Sequence, residues 1–383
     1  MITYTRNKNI TLTALSYTYL LLRRRANKTP TLPPKRVIAL YLTRNIGDMI
    51  FATPVFRALK ERYPESYLTV VGVAKNKIIL EENPDINEYI VCPETIGGLV
   101  SAIRKNKADF GISFASSSVD LASMYLGGVK SIAMFSVKNA DSHSSGYKML
   151  LPLCIQIPYY IGAYVAQEYL RLLEPLNIRS TNTKKLLYFT DAGKQSVLKF
   201  FSENNVTIGS DKIAIFSPGA GTKIKQWPAE RFAEVADYVA EKYGMKIAVI
   251  GGPGDRAETD HFVASLKKAK ALLYVDSSLD ELKAFISYGA VLLANDSGPV
   301  YMAEAFDIPT LVVVGPTDEN EHPPKGERNR IVSSPNRGKA EMSGHLEGFD
   351  ESVARKQIEE VTVPLVVSEL DSLLGVISSG RVE

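Results

Sequence analysis

The sequence predicts an α/β protein of two successive units, each a parallel sheet with helices on both faces, meeting at a cleft. Three observations carry this. Beyond Pro33-Pro34, short apolar runs alternate with amphipathic segments, the pattern of strands buried in a parallel sheet between covering helices. The alternation pauses at the polar stretch from Arg179 to Lys185 and then restarts. The 383 residues also exceed what one ordinary core organises.

In the first unit, Val37–Leu42 reads as a buried strand, and a loop leads into a helix from Gly47 to Arg62 that Pro64 stops. Tyr67–Gly72, Ala108–Phe114 and Lys130–Phe135 are further strands, the last two each preceded by a helical stretch, and Tyr159–Leu173 reads as a longer helix rich in Tyr and Leu. In the second unit, strand Lys212–Ser217 precedes helix Pro228–Tyr243, with Pro in its first turn. Strand Lys246–Ile250, helix Ala257–Lys268, strand Leu272–Val275, helix Leu279–Ser287, strand Ala290–Ala294, helix Pro299–Phe306 and strand Thr310–Val314 complete the run.

Charge separates the N-terminus from the body. The chain carries 45 basic and 42 acidic residues. Arg6, Lys8, Arg23, Arg24, Arg25, Lys28 and Lys35 stand in residues 1–35 with no acid among them, so the remainder has 38 basic against 42 acidic residues, a net −4. A body of that sign excludes nucleic acid as the expected partner. The run Ile10–Leu22, closed by three arginines, is too short to cross a bilayer, and no small-residue cleavage site follows it. Leu12, Leu15, Tyr19 and Leu22 recur at helical spacing. They suit an interfacial amphipathic helix with a basic flank for anionic lipid, or a helix packed on the protein's own surface, or a frayed arm. The two cysteines, Cys92 and Cys154, lack metal-ligand spacing and are expected as buried thiols in a reducing compartment. His143, His261, His322 and His345 form no cluster, so no metal is expected.

Four loops just past predicted strands carry the chemistry. In Thr43-Arg44-Asn45-Ile46-Gly47-Asp48, Asp48 is either a helix N-cap or a general base. In the segment from Ser217 to Pro228, small residues at Gly219 and nearby admit close backbone approach, and Lys223 or Lys225 would meet phosphate or water. Trp227, the sole Trp, is expected to pack against the domain. Gly252–Ala257 matches GxGxxA, with Asp276 placed 24 residues beyond Gly252, which opens the alternative of a nicotinamide-dependent oxidoreductase. Against it, these glycines follow the second strand of the unit, and Pro253 removes an amide. In Asn295-Asp296-Ser297-Gly298-Pro299, a helix start offers backbone N–H groups to a diphosphate, or is simply a capped helix. A third class, a non-catalytic two-lobed protein closing on a nucleotide or sugar, remains open on these residues.

Taken as an ordered set, Gly47-Asp48-Met49, the PGAG of 218–221 leading to the K-x-W-P of 225–228, the NDSGP of 295–299 and the GPTD of 315–318 resemble glycosyltransferase family 9, the ADP-heptose–lipopolysaccharide heptosyltransferases and their relatives. The resemblance covers about residues 36–320. It implies the GT-B architecture: two Rossmann-like lobes facing across a cleft, the acceptor in residues 36–185 and the nucleotide-sugar in residues 186–345. Residues 1–35 then form a basic extension, and residues 346–383 a C-terminal helical segment returning to the first lobe. It implies Asp48 as catalytic aspartate and Lys225 as the contact to the donor diphosphate. Gly219, Thr222, Asp296, Ser297 and Gly298 are implied as donor loop, with Asp255 as an acid on the nucleotide side. Tyr301 stands where the family often has His. Arg104, Lys105 and Lys107 are basic residues for acceptor phosphates or carboxylates, or a solvated helix face. The resemblance further implies an inverting transfer without metal or other cofactor. The donor is a nucleotide-sugar, ADP-linked, and the acceptor a glycolipid or oligosaccharide. The protein is expected as a cytoplasmic monomer, peripheral on the inner face of the membrane through residues 1–30.

Overall fold

The computed structural model describes residues 29–138, 145–338, 340 and 350–378. The Ile10–Leu22 segment, most of the basic extension, His143 and His345 lie outside the described residues. The chain divides between Lys184 and Lys185 into two compact units.

In the first unit the elements are β1 (Arg36–Tyr41), α1 (Ile46–Arg62), β2 (Tyr67–Gly72), α2 (Ala74–Ile79), β3 (Glu88–Val91), α3 (Ile96–Asn106) and β4 (Phe110–Ser113). They continue as α4 (Ser118–Leu126), β5 (Ser131–Val137), α5 (Ser145–Leu150), β6 (Ile155–Tyr159) and α6 (Val165–Leu170). All strand pairs are parallel, in the order β3-β2-β1-β4-β5-β6. The central strand β1 is buried from Val37 onward, because helices cover both faces of the sheet.

The second unit holds α7 (Asp191–Glu203), β7 (Ile213–Ser217), α8 (Ala229–Tyr243), β8 (Lys246–Gly251), α9 (Arg256–Ser265), β9 (Ala271–Val275) and α10 (Leu279–Ile286). After these come β10 (Val291–Asn295), α11 (Gly298–Ala305), β11 (Thr310–Val313), β12 (Asn329–Val332), α12 (Glu351–Glu359) and α13 (Val363–Ser378). This sheet is also parallel, ordered β12-β11-β10-β7-β8-β9. Counted within each unit, both sheets have the same topology: the second and third strands run outward from the first, and the chain returns to lay the fourth on the first strand's other side.

The structure departs from the sequence expectation at several places, among them the short helices α2 and α5, which the sequence pattern does not mark. The expected helix Tyr159–Leu173 is instead the end of β6, a turn, the short α6 and a tight turn over Arg171–Leu176; Pro158 in the strand, Gly162 at φ +92° and Pro175 interrupt any longer helix. The strands β3 and β12 escape the reading because they are sheet edges of four residues, mostly half-exposed, and so lack a continuous apolar run. Helix α7, capped by the Thr190 hydroxyl on Gly193 N, also lies in what had read as connection. The C-terminal helices bury Ala354, Ile358, Val366, Leu370 and Leu373. Of these, Ile358, Val366, Leu370 and Leu373 share the second unit's core with Phe216, Trp227 and Phe232, and Asp371 accepts hydrogen bonds from Tyr238, Lys242 and Tyr243 on α8. These residues are thus buried in the second unit's own core. Cys154 is buried and Cys92 half-buried; burial pushes their thiols up to about 12 and about 11.

One buried acid gives the first unit a pH dependence. Asp120, at 3 % exposure on α4, accepts a hydrogen bond from the Ser113 hydroxyl at 3.0 Å, and burial pushes its carboxyl up to about 7. A raised carboxyl contributes stability that is full below its unfolded value, about 4, and is lost as the pH rises toward neutrality. Thermal melts of Asp120→Asn should therefore gain on wild type between about pH 4 and pH 8; a constant offset across that range would contradict the assignment.

Candidate active site

Loops after the first and fourth strands of such a sheet diverge, leaving a crevice at the strands' C-terminal ends. In the first unit that point lies between β1 and β4, and in the second between β7 and β10. The segments that carry Asp48, Lys225 and Asp296 each leave one of these strands, so topology alone puts them at the two crevices.

Helix α1 begins at Ile46 with Asn45 as N-cap, which makes no side-chain capping bond. Asp48 is therefore in the first turn and is not the cap. Its Oδ2 accepts from the Thr43 hydroxyl at 2.8 Å and from Asn45 Nδ2 at 3.0 Å. The residue is half-buried, and no bond falls on its Oδ1 among the described residues. A carboxylate held by one oxygen with the other open can receive a proton.

In the second unit, Lys225 ends a single tight turn over Lys223–Lys225, with Nζ 3.0 Å from Asp296 Oδ2. The other oxygen of Asp296 accepts from the Tyr301 hydroxyl at 2.5 Å. Burial raises the Asp296 carboxyl, but the Lys225 ammonium, the Tyr301 hydroxyl and nearby His322 outweigh it and hold the group below the ordinary carboxylate range. Asp296 is thus ionised and fixes the ammonium. Ser297 is the N-cap of α11, yet its hydroxyl turns back to Asn295 O at 3.1 Å and caps nothing. Gly298 opens that helix, and Pro299, which has no amide, follows. A cation beside an uncapped helix N-terminus is an arrangement suited to phosphate.

Gly219 is needed for packing as much as for ligand approach: a Cβ there would lie 2.2 Å from Asp255 Oδ1. Asp255 in turn accepts from Gly252 N at 3.0 Å. That bond occupies an amide which the pyrophosphate of a dinucleotide would require, and Asp276 is paired with Arg256 at 3.0 Å. The turn and the acid that the oxidoreductase alternative needs are thus both engaged internally, and the structure lends that alternative no support. Thr222 is exposed at the start of the Lys223–Lys225 turn. Trp227 is buried at 1 %, its Nε1 donating to Val361 O at 2.8 Å, as its expected packing role requires.

Arg104, Lys105 and Lys107 do not belong with Asp48. They end α3 and lead into the N-terminal end of β4, whereas Asp48 follows the C-terminal end of β1, the parallel neighbour of β4. The sheet separates them. All three are exposed, and Arg104 donates to Leu126 O at 3.0 Å; cations at a helix C-terminus are favoured by the helix dipole, which explains the cluster without a ligand.

The residue that sequence reasoning missed is Asn295, fully buried at the end of β10. Its Oδ1 accepts from Trp227 N at 2.9 Å, and its Nδ2 donates to Pro218 O at 2.7 Å. Both ends of the Lys225 loop hang on this one amide. Asparagine beginning NDSGP was a visible signal, but its partners lie 68 and 77 residues away. Among the described residues no set of His, Cys, Asp and Glu is grouped to hold a metal ion, and no helix is long and apolar enough to cross a membrane.

Comparison with known proteins bears on what this arrangement does. The family model of glycosyltransferase family 9 (heptosyltransferase) matches residues 155–347, half of the chain. Lipopolysaccharide heptosyltransferase 2 of Escherichia coli strain K12 is 23% identical over 343 residues, spanning 86% of this chain and 96% of that protein. The glycosyl transferase family 9 structure from Veillonella parvula DSM 2008 superposes with a TM-score of 0.73 at 22% identity, covering 89% of this chain and 97% of its own. The E. coli ADP-heptose lps heptosyltransferase II structure superposes with a TM-score of 0.69 at 18% identity, covering 90% and 99%. These likenesses show the fold to be GT-B.

Replacing Asn295 by Leu would keep the volume but strand the Trp227 amide and free the Pro218 carbonyl. The expected loss is about 1–3 kcal/mol in urea unfolding. An unchanged unfolding midpoint would show that Asn295 does not hold the loop.

Proposed function

The chain belongs to glycosyltransferase family 9, and from that premise we propose that it transfers heptose from ADP-heptose to a lipopolysaccharide-core or related glycolipid acceptor, with inversion at the anomeric carbon. The observation that carries this reading is the Lys225–Asp296–Tyr301 group beside the N-terminus of α11. It is a fixed cation at a switch point, suited to the diphosphate of a nucleotide-sugar.

In this reading Asp48 takes the proton of an acceptor hydroxyl through its open Oδ1. The resulting oxygen attacks the anomeric carbon from the face opposite the nucleotide, as the bond from that carbon to the diphosphate oxygen breaks. The transition state is oxocarbenium-like, by the same chemistry as glycoside cleavage. Negative charge grows on the departing diphosphate. Lys225 and the Ser297–Gly298 amides meet it, an electrostatic contribution of the kind that supplies much of an enzyme's acceleration. Tyr301, where relatives often have His, keeps Asp296 aligned on Lys225. Gly219 and Thr222 border the same loop, and Asp255 supports it from the nucleotide side.

The acceptor, in this proposal, belongs to the first unit. A cytoplasmic monomer docking on anionic lipid through residues 1–30 would bring the enzyme to a membrane-bound glycolipid. Loss of those residues should then reduce co-sedimentation with anionic vesicles, and undiminished binding would remove the tail from that role.

Two measurements test the core of the reading. Asp48→Asn should bind donor normally while turnover falls by about 10²–10⁴-fold; unchanged turnover would eliminate Asp48 as base. In a thermal-shift panel of ADP-, UDP-, GDP- and dTDP-sugars, ADP-heptose should stabilise the wild type, and Lys225→Ala should lose most of that shift. A response to another nucleotide-sugar alone would overturn the donor assignment.

A further inference from the structure

We infer that Thr43 and Asn45 are positioning residues for the Asp48 carboxylate, and that Asn76 anchors them. This inference rests on the reading of Asp48 as base. Both donors reach the same oxygen, Oδ2, the Thr43 hydroxyl at 2.8 Å and Asn45 Nδ2 at 3.0 Å. Two bonds on one oxygen fix the plane of the carboxylate and leave Oδ1 to the acceptor proton.

The arrangement is directional. The Asn45 backbone amide donates to Thr43 Oγ1 at 3.1 Å. With one lone pair so engaged, the single proton of that hydroxyl is turned toward the carboxylate. Asn45 thus acts twice, through its amide on Thr43 and through its side chain on Asp48. The helix has no other use for that side chain, since Asn45 makes no capping bond.

Support comes from the helix that follows the neighbouring strand. Asn76, in α2 just after β2, is fully buried, and its Nδ2 donates to Thr43 O at 2.8 Å. Its Oδ1 is buried without a partner. A buried amide retained with one end unsatisfied costs stability, and what that cost secures here is the position of the Thr43 backbone. Displacements of about 1 Å can cost a hundredfold in rate, so a base on a loop needs such a brace.

The test sets shape against hydrogen bonding. Val copies the branched shape of Thr without the hydroxyl, whereas Ser keeps the hydroxyl and loses the methyl. With ADP-heptose and a lipopolysaccharide-core acceptor, kcat should fall about tenfold or more in Thr43→Val and in Asn45→Leu. The donor KM should stay unchanged, and Thr43→Ser should retain most of the rate. In an Asp48→Asn background neither Thr43→Val nor Asn45→Leu should reduce the residual rate further, because both act through the carboxylate. If Thr43→Val turns over like wild type, if Thr43→Ser is as impaired as Thr43→Val, or if the losses persist without Asp48, the positioning role is overturned while Asp48 remains the base. An Asp48→Asn enzyme of full activity would instead remove the base reading, and the positioning role with it.

Discussion

A parallel sheet whose chain order reverses beside its first strand has one place where neighbouring loops leave in opposite directions. Both units of this protein are built on that constraint, with strands β4 and β10 returning to the far side of β1 and β7. Parallel strands end their turns on the same edge, so every residue with chemistry in the second unit arrives there from a different stretch of chain. The loop after β7 supplies Gly219 and Lys225; the turn after β10 supplies Asp296 and Ser297, and Gly298 opens the helix that follows. Helix covering on both faces makes the central strands largely apolar, and leaves most of the polar work to the segments just past the strand ends.

That division explains why buried amides recur beside the reactive groups. A loop has no ladder of its own, and its backbone must be satisfied by something. Asn295 does this for the segment 218–227, and Asn76 for the backbone at Thr43. In each case a side chain from the adjoining strand or helix reaches across and takes a backbone group of the loop. The charged residues then need little adjustment. Lys225 is held by Asp296, Asp296 by Tyr301, and Asp48 by two donors on one oxygen. The ammonium is held in place by the protein's own carboxylate, and in the proposed transfer such a fixed cation would spare reorganisation as charge develops.

Much of the fold was readable because a strand and its following loop are contiguous. The apolar runs and the punctuation by Gly and Pro placed most central strands and helices to within one or two residues, and the same order identified Asp48, Lys225 and Asp296 as residues at strand ends. What failed did so for specific reasons. The edge strands β3 and β12 are four residues long and mostly half-exposed, so no apolar run marks them. The segment from Tyr159 was apolar enough for helix, but Pro158, Gly162 and Pro175 divide it.

The sequence by itself determined two parallel α/β units, the residue types able to move a proton or meet a phosphate, and the family resemblance that ties them to glycosyl transfer. These follow from local pattern and from the order of short motifs. Tertiary structure alone decided which candidates work together. It set Arg104, Lys105 and Lys107 at the opposite edge of the sheet from Asp48, turned Asp255 onto Gly252 and Gly219, and gave Asn295 partners 68 and 77 residues away. The physical reason is that a side chain's role depends on which end of a strand it leaves and which backbone groups lie beside it. Periodicity encodes neither, and both appear only once the strands have paired.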